Sequence, residues 1–412
     1  MLFPPLSRAA PQRVVVTGAG IVTALGVGWR ANADGFRVGR RAFRPVTLFD
    51  VTRQRAKEAG EVDLPDRLPD TRLSARTMRR LNRASRQLLW ASAEAWRQAG
   101  WEPGSNLPLV LGTTGCGTES GEQYYRVALE SACARRGQPT RSLCHQGQRQ
   151  ALDVAEAFGF EGPVTMIANA CASGSNAIGH AWELVLTGRA ERVLAGGYDA
   201  LSQLAFAGFD SLQALSTTRC RPFDAGRDGL ALGEGAALLA LESLDHARRR
   251  GAEILGEIIG YGAATDCHHL AQPHPEGHAA LQSMQEACAR AGVTPEMVGY
   301  VNAHGTGTLL NDAAEALAIN RWAGVRAADL DVSSTKGSVG HLLGASGAVE
   351  AVVCLMVLRE HWLPPEPYVE APDPACAFPL VRDPRDARVE IALSNSFGFG
   401  GANATLLFRR WP

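Results

Sequence analysis

Three residues of this chain have side chains suited to acyl transfer, and each sits in a glycine-dense motif of its own. Cys171 lies in Asn169-Ala170-Cys171-Ala172-Ser173-Gly174-Ser175. His304 lies in Asn302-Ala303-His304-Gly305-Thr306-Gly307-Thr308, and His341 in Gly340-His341-Leu342-Leu343-Gly344-Ala345-Ser346-Gly347. A thiolate attacks carbonyl carbon, and imidazoles move protons or donate hydrogen bonds near neutral pH. Together they point to transfer of an acyl group through a thioester. A lone free cysteine is more often a small buried apolar residue, so the elements around it decide.

Pro163-Val164-Thr165-Met166-Ile167 reads as a short buried strand, and Ala177, Ile178, Ala181, Leu184 and Val185 recur at helical spacing after Ser175. The cysteine is thus expected at a strand-to-helix junction, where unpaired N–H groups and the helix dipole favour a thiolate. Small neighbours leave room for a substrate. The histidine motifs share this grammar. Val298 to Val301 reads as a strand, so His304 falls on a loop at its end, before the helical spacing of Ala313, Ala316, Leu317 and Ile319. Val332-Ser333-Ser334-Thr335-Lys336 precedes a glycine-punctuated turn with His341 and an apolar helix from about Ala345 to Arg359.

These motifs, with Val14-Val15-Val16-Thr17-Gly18, Arg221-Pro222-Phe223-Asp224, Arg227-Asp228-Gly229 and Ser394-Asn395-Ser396-Phe397-Gly398-Phe399-Gly400-Gly401-Ala402-Asn403, run in order over nearly the whole chain. In that order the sequence resembles the β-ketoacyl-acyl-carrier-protein synthases of the ketoacyl synthase I/II type. The resemblance implies an α/β thiolase fold, two similar halves forming a five-layered αβαβα body. The strand-then-glycine starts at Arg13 to Gly20 and Gly256 to Gly262 place the boundary near residue 255, giving halves 1–255 with the nucleophile and 256–412 with both histidines.

The resemblance also implies roles. Cys171 would carry the acyl group. His304 and His341 would stabilise the oxygen of a malonyl thioester as it loses carbon dioxide, and the carbanion would attack the acyl-enzyme to give a 3-oxoacyl thioester two carbons longer. Backbone N–H groups of Cys171 and Phe399 would form the oxyanion hole. Lys336 matches the family's lysine near the site and Glu350 its buried glutamate, so each should have a charged partner. Lys336 is read as supporting rather than chemical. Phe399 resembles the gating phenylalanine, while Phe397 reads equally well as a core aromatic. Thr306 and Thr308 are expected to contact the thioester arm. Gly115, in the small-residue run Gly112-Thr113-Thr114-Gly115-Cys116, stands near the base of the acyl pocket, where relatives often carry a bulky aliphatic. The segment Leu215 to Pro222 is shorter than in housekeeping enzymes, which favours a specialised polyketide or polyene role without excluding fatty-acid elongation.

Composition agrees with these expectations. The chain has 412 residues, 46% of them hydrophobic and 20% charged, enough for a large core. Nine cysteines without a CxxC pair predict neither a disulfide framework nor a zinc site, and a reducing cytoplasm fits. The first twelve residues lack the pattern of a signal peptide, and no segment approaches eighteen uninterrupted apolar residues, so no membrane span is expected. From Thr71 to Ala93 there is no acid, while Arg72, Arg76, Arg79, Arg80, Arg83 and Arg86 are expected to crowd one helix. Such a patch asks for an anionic partner. By the resemblance that partner is acyl carrier protein, docking at Arg76, Arg79 and Arg80, with Arg135, Arg136 and Arg141 adding to the patch. No nucleic-acid motif is present.

Two other patterns carry less. Gly18-Ala19-Gly20 begins a dinucleotide fingerprint, but Thr23 holds the third glycine's place. His268, His269, His274 and His278 with Asp266 match no metal spacing, and Ala271-Gln272-Pro273 replaces a Thr-Ser-Pro common in the family's thioester-contacting loop. No cofactor or metal is expected. The assembly that the resemblance implies is a homodimer, or a heterodimer with a chain-length subunit. A chain-length subunit usually lacks the cysteine. A thiolase-like enzyme would need a second catalytic cysteine in place of one histidine.

Overall fold

The computed structural model describes residues 11–102, 107–130 and 143–412. Arg135, Arg136 and Arg141 lie outside the described residues. Among the described residues eleven strands build the main sheet, ten of them in one continuous order. Those of the first half are β1 (Val14–Thr23), β2 (Leu109–Gly112), β3 (Val164–Ile167), β4 (Arg192–Asp199) and β5 (Gly235–Ser243). Those of the second are β6 (Gly256–Thr265), β7 (Tyr300–Asn302), β8 (Asp331–Ser333), β9 (Ile391–Phe397) and β10 (Ala402–Arg409).

The strand order is β3-β2-β4-β5-β1 and then β6-β10-β9-β7-β8, with the short strand Gly26–Val27 hung on β1. Within each set the senses agree strand for strand. The first strand pairs antiparallel with the fifth, the fifth antiparallel with the fourth, and the remaining pairs are parallel. The sets join where Val14, Val15 and Val16 pair with Ile258, Glu257 and Gly256.

The helices that matter for the site are α1 (Ala75–Met78), α2 (Arg83–Ala99), α3 (Gly147–Phe158), α4 (Ser173–Leu186), α5 (His278–Ala291), α6 (Leu309–Ala323) and α7 (Ser346–Glu360). Helices α4 and α7 pack on each other and touch strands of both sets, while α2 and α3 cover the first set outside and α5, flanked by α6, covers the second. The layers are therefore α, β, α, β, α. Every residue of α7 from Ser346 to Leu358 is buried. Its lack of a polar stripe marks a helix enclosed on all sides, and β1 and β5, buried at every position, read as the continuous apolar runs of strands covered on both faces.

Gly18 and Gly20 owe their presence to packing. A Cβ at Gly18 would lie 2.2 Å from the carbonyl oxygen of Ala95, and one at Gly20 1.9 Å from that of Ala91, so the pair lets α2 lie flat on β1.

The arginine segment departs from the single expected helix. Ser74 caps α1 by accepting from Thr77 N, and Asn82 caps α2 by accepting from Ser85 N at 2.8 Å. Two caps eight residues apart split the run, because each offers its helix's unpaired N–H groups a side-chain acceptor. Arg83 turns inward to the carboxylate of Glu234, and Arg86 reaches the carbonyl of Pro65. Arg76, Arg79 and Arg80 are exposed.

Candidate active site

Cys171 rides on a strained elbow. After β3 the backbone passes through φ +56° at Ala170, a left-handed conformation rare for a residue with a side chain, and a 3-10 turn over Ala170–Ala172 runs into α4. The Ser173 hydroxyl braces the bend by accepting from Asn169 N at 3.0 Å and donating to the Ala170 carbonyl. Across it lies Gly398, where a Cβ would come within 3.0 Å of Cys171 N. The N–H groups of Phe399 and Cys171 both face the sulfur. The expected thiolate is nevertheless not the resting state. Burial pushes the Cys171 thiol up to about 12, outweighing the opposing pull of the Lys336 charge and the two amides.

His304 follows β7 on a loop pinned from α6. Glu315 accepts from His304 N at 2.8 Å and from Gly305 N at 2.7 Å, and Asp312 accepts from Thr306 N at 2.9 Å and Gly307 N at 3.1 Å. His341 leaves a single helical turn, Lys336–Val339, through Gly340 at φ +83°. Its Nδ1 lies 2.9 Å from the Ser346 hydroxyl, which also accepts from Leu342 N at 2.9 Å. The hydroxyl keeps its proton free to donate to Nδ1, and in that arrangement a neutral ring carries its proton on Nε2.

The two imidazole rings meet edge to face, with centroids 5.3 Å apart. Burial drives both well below the usual histidine range, and the positive Lys336 pushes the same way, so both rings are neutral at pH 7. Lys336 is fully buried and pairs with Glu350 on α7, as expected of charges removed from water. Burial raises Glu350, and the Lys336 charge pulls it back.

A cavity of about 410 Å³ opens over these groups, lined by Cys171, His304, His341, Thr306, Thr308, Phe397 and Phe399. Phe397 is buried, its ring 5.6 Å from that of His304. Phe399 is 40% exposed and its ring lies over Phe209 at 5.7 Å. The hydroxyls of Thr306 and Thr308 are 2.8 Å apart. Lys336 and Glu350 stand behind the lining rather than in it. The structure does not bring Gly115 into this cavity. Its N–H is turned to Asp199 at 2.7 Å, because the turn after β2 wraps around that carboxylate.

In the histidine-rich loop the ring of His268 meets that of His274 edge to face at 5.0 Å, and His274 stacks on His278 at 4.3 Å. Among the described residues no group of side chains is placed to hold a metal ion. Ala271, Gln272 and Pro273 line the cavity mouth, and the loop is tied to the Phe399 segment by Gly400 N donating to the Leu270 carbonyl at 2.7 Å.

Four polar residues escaped the motif reading: Asp199, Asp312, Glu315 and Ser346. Asp312 and Glu315 left a signal, since two acids three apart open an otherwise apolar helix directly after a glycine loop. Ser346 could have been suspected from its place five residues after His341. Asp199 left none, because its partners are amides distant in sequence.

Family models for the β-ketoacyl synthase N-terminal domain and C-terminal domain match residues 11–247 and 255–370. A 3-oxoacyl-[acyl-carrier-protein] synthase 2 of Synechocystis sp. is 37% identical over 420 residues, covering 98% of this chain and 100% of that protein. Among solved structures, the ishigamide ketosynthase/chain length factor superposes with a TM-score of 0.91 at 30% identity, covering 98% of this chain and 100% of the other. A beta-ketoacyl synthase from Burkholderia phymatum superposes at 0.87 with 35% identity, covering 97% and 100%. No helix among the described residues is long and apolar enough to cross a membrane.

Proposed function

Because the chain belongs to the β-ketoacyl synthase family, we propose that it joins an acyl group to a malonyl unit, both carried as thioesters on acyl carrier protein. The observation that carries this reading is the convergence of Cys171, His304 and His341 on one cavity.

In the first half-reaction Cys171 Sγ attacks the acyl thioester carbonyl and the carrier thiol leaves. The oxyanion lies against the N–H groups of Cys171 and Phe399. The thiol must lose its proton on the way, and the neutral imidazoles beside it are the available bases. In the second, the bond from malonyl C2 to its carboxylate breaks, carbon dioxide departs, and the electron pair delocalises onto the thioester oxygen. Neutral His341, with its proton on Nε2, and His304 donate to that oxygen. A donor preorganised in a dry site for charge that appears only in the transition state is worth on the order of a hundredfold or more in rate. C2 then attacks the acyl-enzyme carbonyl, and Cys171 leaves with the 3-oxoacyl thioester released. Lys336 and Glu350 support the site through charge, and Phe399 closes the mouth over the sulfur.

The carrier docks at Arg76, Arg79 and Arg80, exposed side chains in a stretch of sequence without an acid, which attract an anionic partner. The halves divide at residue 255, with the nucleophile on one and both histidines on the other. The edge of β3 is the surface for a second subunit, identical or a chain-length partner, since among the described residues no strand lies on its outer side. The irregular free cysteines favour the cytoplasm. Fatty-acid and polyketide or polyene elongation share this chemistry, and the short segment from Leu215 to Pro222 favours the specialised route.

Intact-protein mass spectrometry tests the reading: the chain and its Cys171→Ala variant are incubated with carrier proteins bearing acyl groups of different length and unsaturation. A Cys171-dependent adduct is expected, and the preferred chain distinguishes the pathways. A folded protein that takes no adduct would point to a chain-length subunit instead.

A further inference from the structure

Asp199 ends β4 with its side chain out of contact with water, and both carboxylate oxygens are fully engaged. One oxygen accepts from the Thr113 hydroxyl at 2.7 Å and Gly115 N at 2.7 Å. The other accepts from Thr114 N at 2.9 Å and Gly344 N at 2.6 Å. Four donors fill the four acceptor sites of a carboxylate. Three come from the turn after β2, and the fourth comes from the loop that carries His341.

That fourth bond closes a strained path. Between His341 and Gly344 the chain passes through φ +51° at Leu343, a left-handed conformation that residues with a side chain rarely adopt. This bend brings Gly344 N–H to the carboxylate. The neighbouring surfaces leave no slack. A Cβ at Gly344 would lie 2.6 Å from Thr114 N and 2.8 Å from Asp199 Oδ2, and the Gly344 carbonyl would lie 2.7 Å from a Cβ at Gly174, in the first turn of α4. Asp199 therefore stands where the His341 loop, the turn after β2 and the helix behind Cys171 meet.

Resting on the condensation reading, we propose that Asp199 is a positioning residue for the decarboxylation half-reaction: its grip on Gly344 N–H holds the His341 loop in its strained path and so aims the imidazole. Asparagine has the same shape but presents an amide N–H₂ where two donors now find an oxygen. The loop then relaxes, while the elbow of Cys171, braced separately by Ser173, stays in place.

The experiment compares the full chain with Asp199→Asn in three readouts. Decarboxylation of malonyl carrier protein should lose at least tenfold in kcat with KM within twofold, while acyl-adduct formation on Cys171 does not fall, since removing the Asp199 charge eases loss of the thiol proton. In a His341→Ala background the Asn replacement should add less than threefold, since residues acting through one another do not add. Amide hydrogen exchange at residues 342–346 should quicken at least tenfold, with β1 unchanged. Equal losses in both half-reactions, additive losses with His341→Ala, or unchanged exchange at Gly344 would overturn the proposal. Asp199→Glu, which keeps both oxygens but shifts them by a methylene, serves in the same assays if Asn does not fold. The exchange readout judges Asp199 whether or not the unmodified chain decarboxylates, and that activity judges the condensation reading alone.

Discussion

Replacing Lys336 with methionine keeps the volume of its side chain and removes the positive charge that pairs with Glu350. The carboxylate is 1% exposed, and leaving it charged and alone would cost several kcal/mol. It has an escape, which is to take up a proton. Protonating a group whose unfolded value is 4.5 costs about 1.4 kcal/mol for each pH unit above that value, so the loss is capped near 4 kcal/mol at pH 7.5 and near 1.4 kcal/mol at pH 5.5. These are upper bounds, because burial already raises Glu350 in the native pair. A carboxyl that binds its proton more tightly folded than unfolded favours the fold as pH falls, so the deficit must shrink toward acid. An unfolding entropy of about 2.1 cal/mol/K per residue over 412 residues makes each kcal/mol worth roughly 1.2 °C. The expected loss in Tm is up to about 5 °C at pH 7.5 and under about 2 °C at pH 5.5, read by calorimetry at equal protein concentration. Adding Glu350→Gln should return most of it. Equal losses at both pH values, or no recovery in the double variant, would refute the pairing.

Three further outcomes are expected. Alkylation of Cys171 by iodoacetamide should quicken close to tenfold per pH unit from 7 to 9, since the thiol sits at about 12; a plateau below pH 8 would mean a resting thiolate. His304→Ala and His341→Ala should each lower malonyl decarboxylation on the order of 10² to 10³ and acylation of Cys171 far less, as measured by carbon dioxide release against adduct formation. Charge reversal of Arg76, Arg79 and Arg80 to Glu should raise KM for carrier-bound substrates and leave small thioesters unaffected, and equal effects on both would refute the docking surface.

The motifs around Cys171, His304 and His341 were legible because each joins a strand end to a helix start through glycine and small residues, a local pattern that periodicity exposes. Strand and helix bounds around Cys171 and His341 fell within two residues of their expected places. What stayed hidden depends on partners far away in sequence. Asp199 is a plain acid at the end of an apolar strand, and only the fold reveals that it faces amides 84 to 145 positions distant. The resting state of Cys171 was misjudged for a related reason. Helix-end amides are local and visible in sequence, whereas the burial that outweighs them is a property of the whole. The arginine run was read as one helix because Asn82, in the middle of a basic stretch, is a cap only once the turn before it forms.

The enclosed pair α4 and α7 sets a schedule for the ribosome. Helix α4 is complete at Leu186, but α7, which covers its inner side, ends at Glu360, about 174 residues later. At synthesis rates of about 5–20 residues per second, the apolar face of α4 waits roughly 9–35 s for its cover. Through that interval the nascent chain holds the helix behind Cys171 with its sticky side open. A chain stopped before Ser346 should therefore be captured by chaperones or aggregate, while one stopped after Arg409 should be released folded.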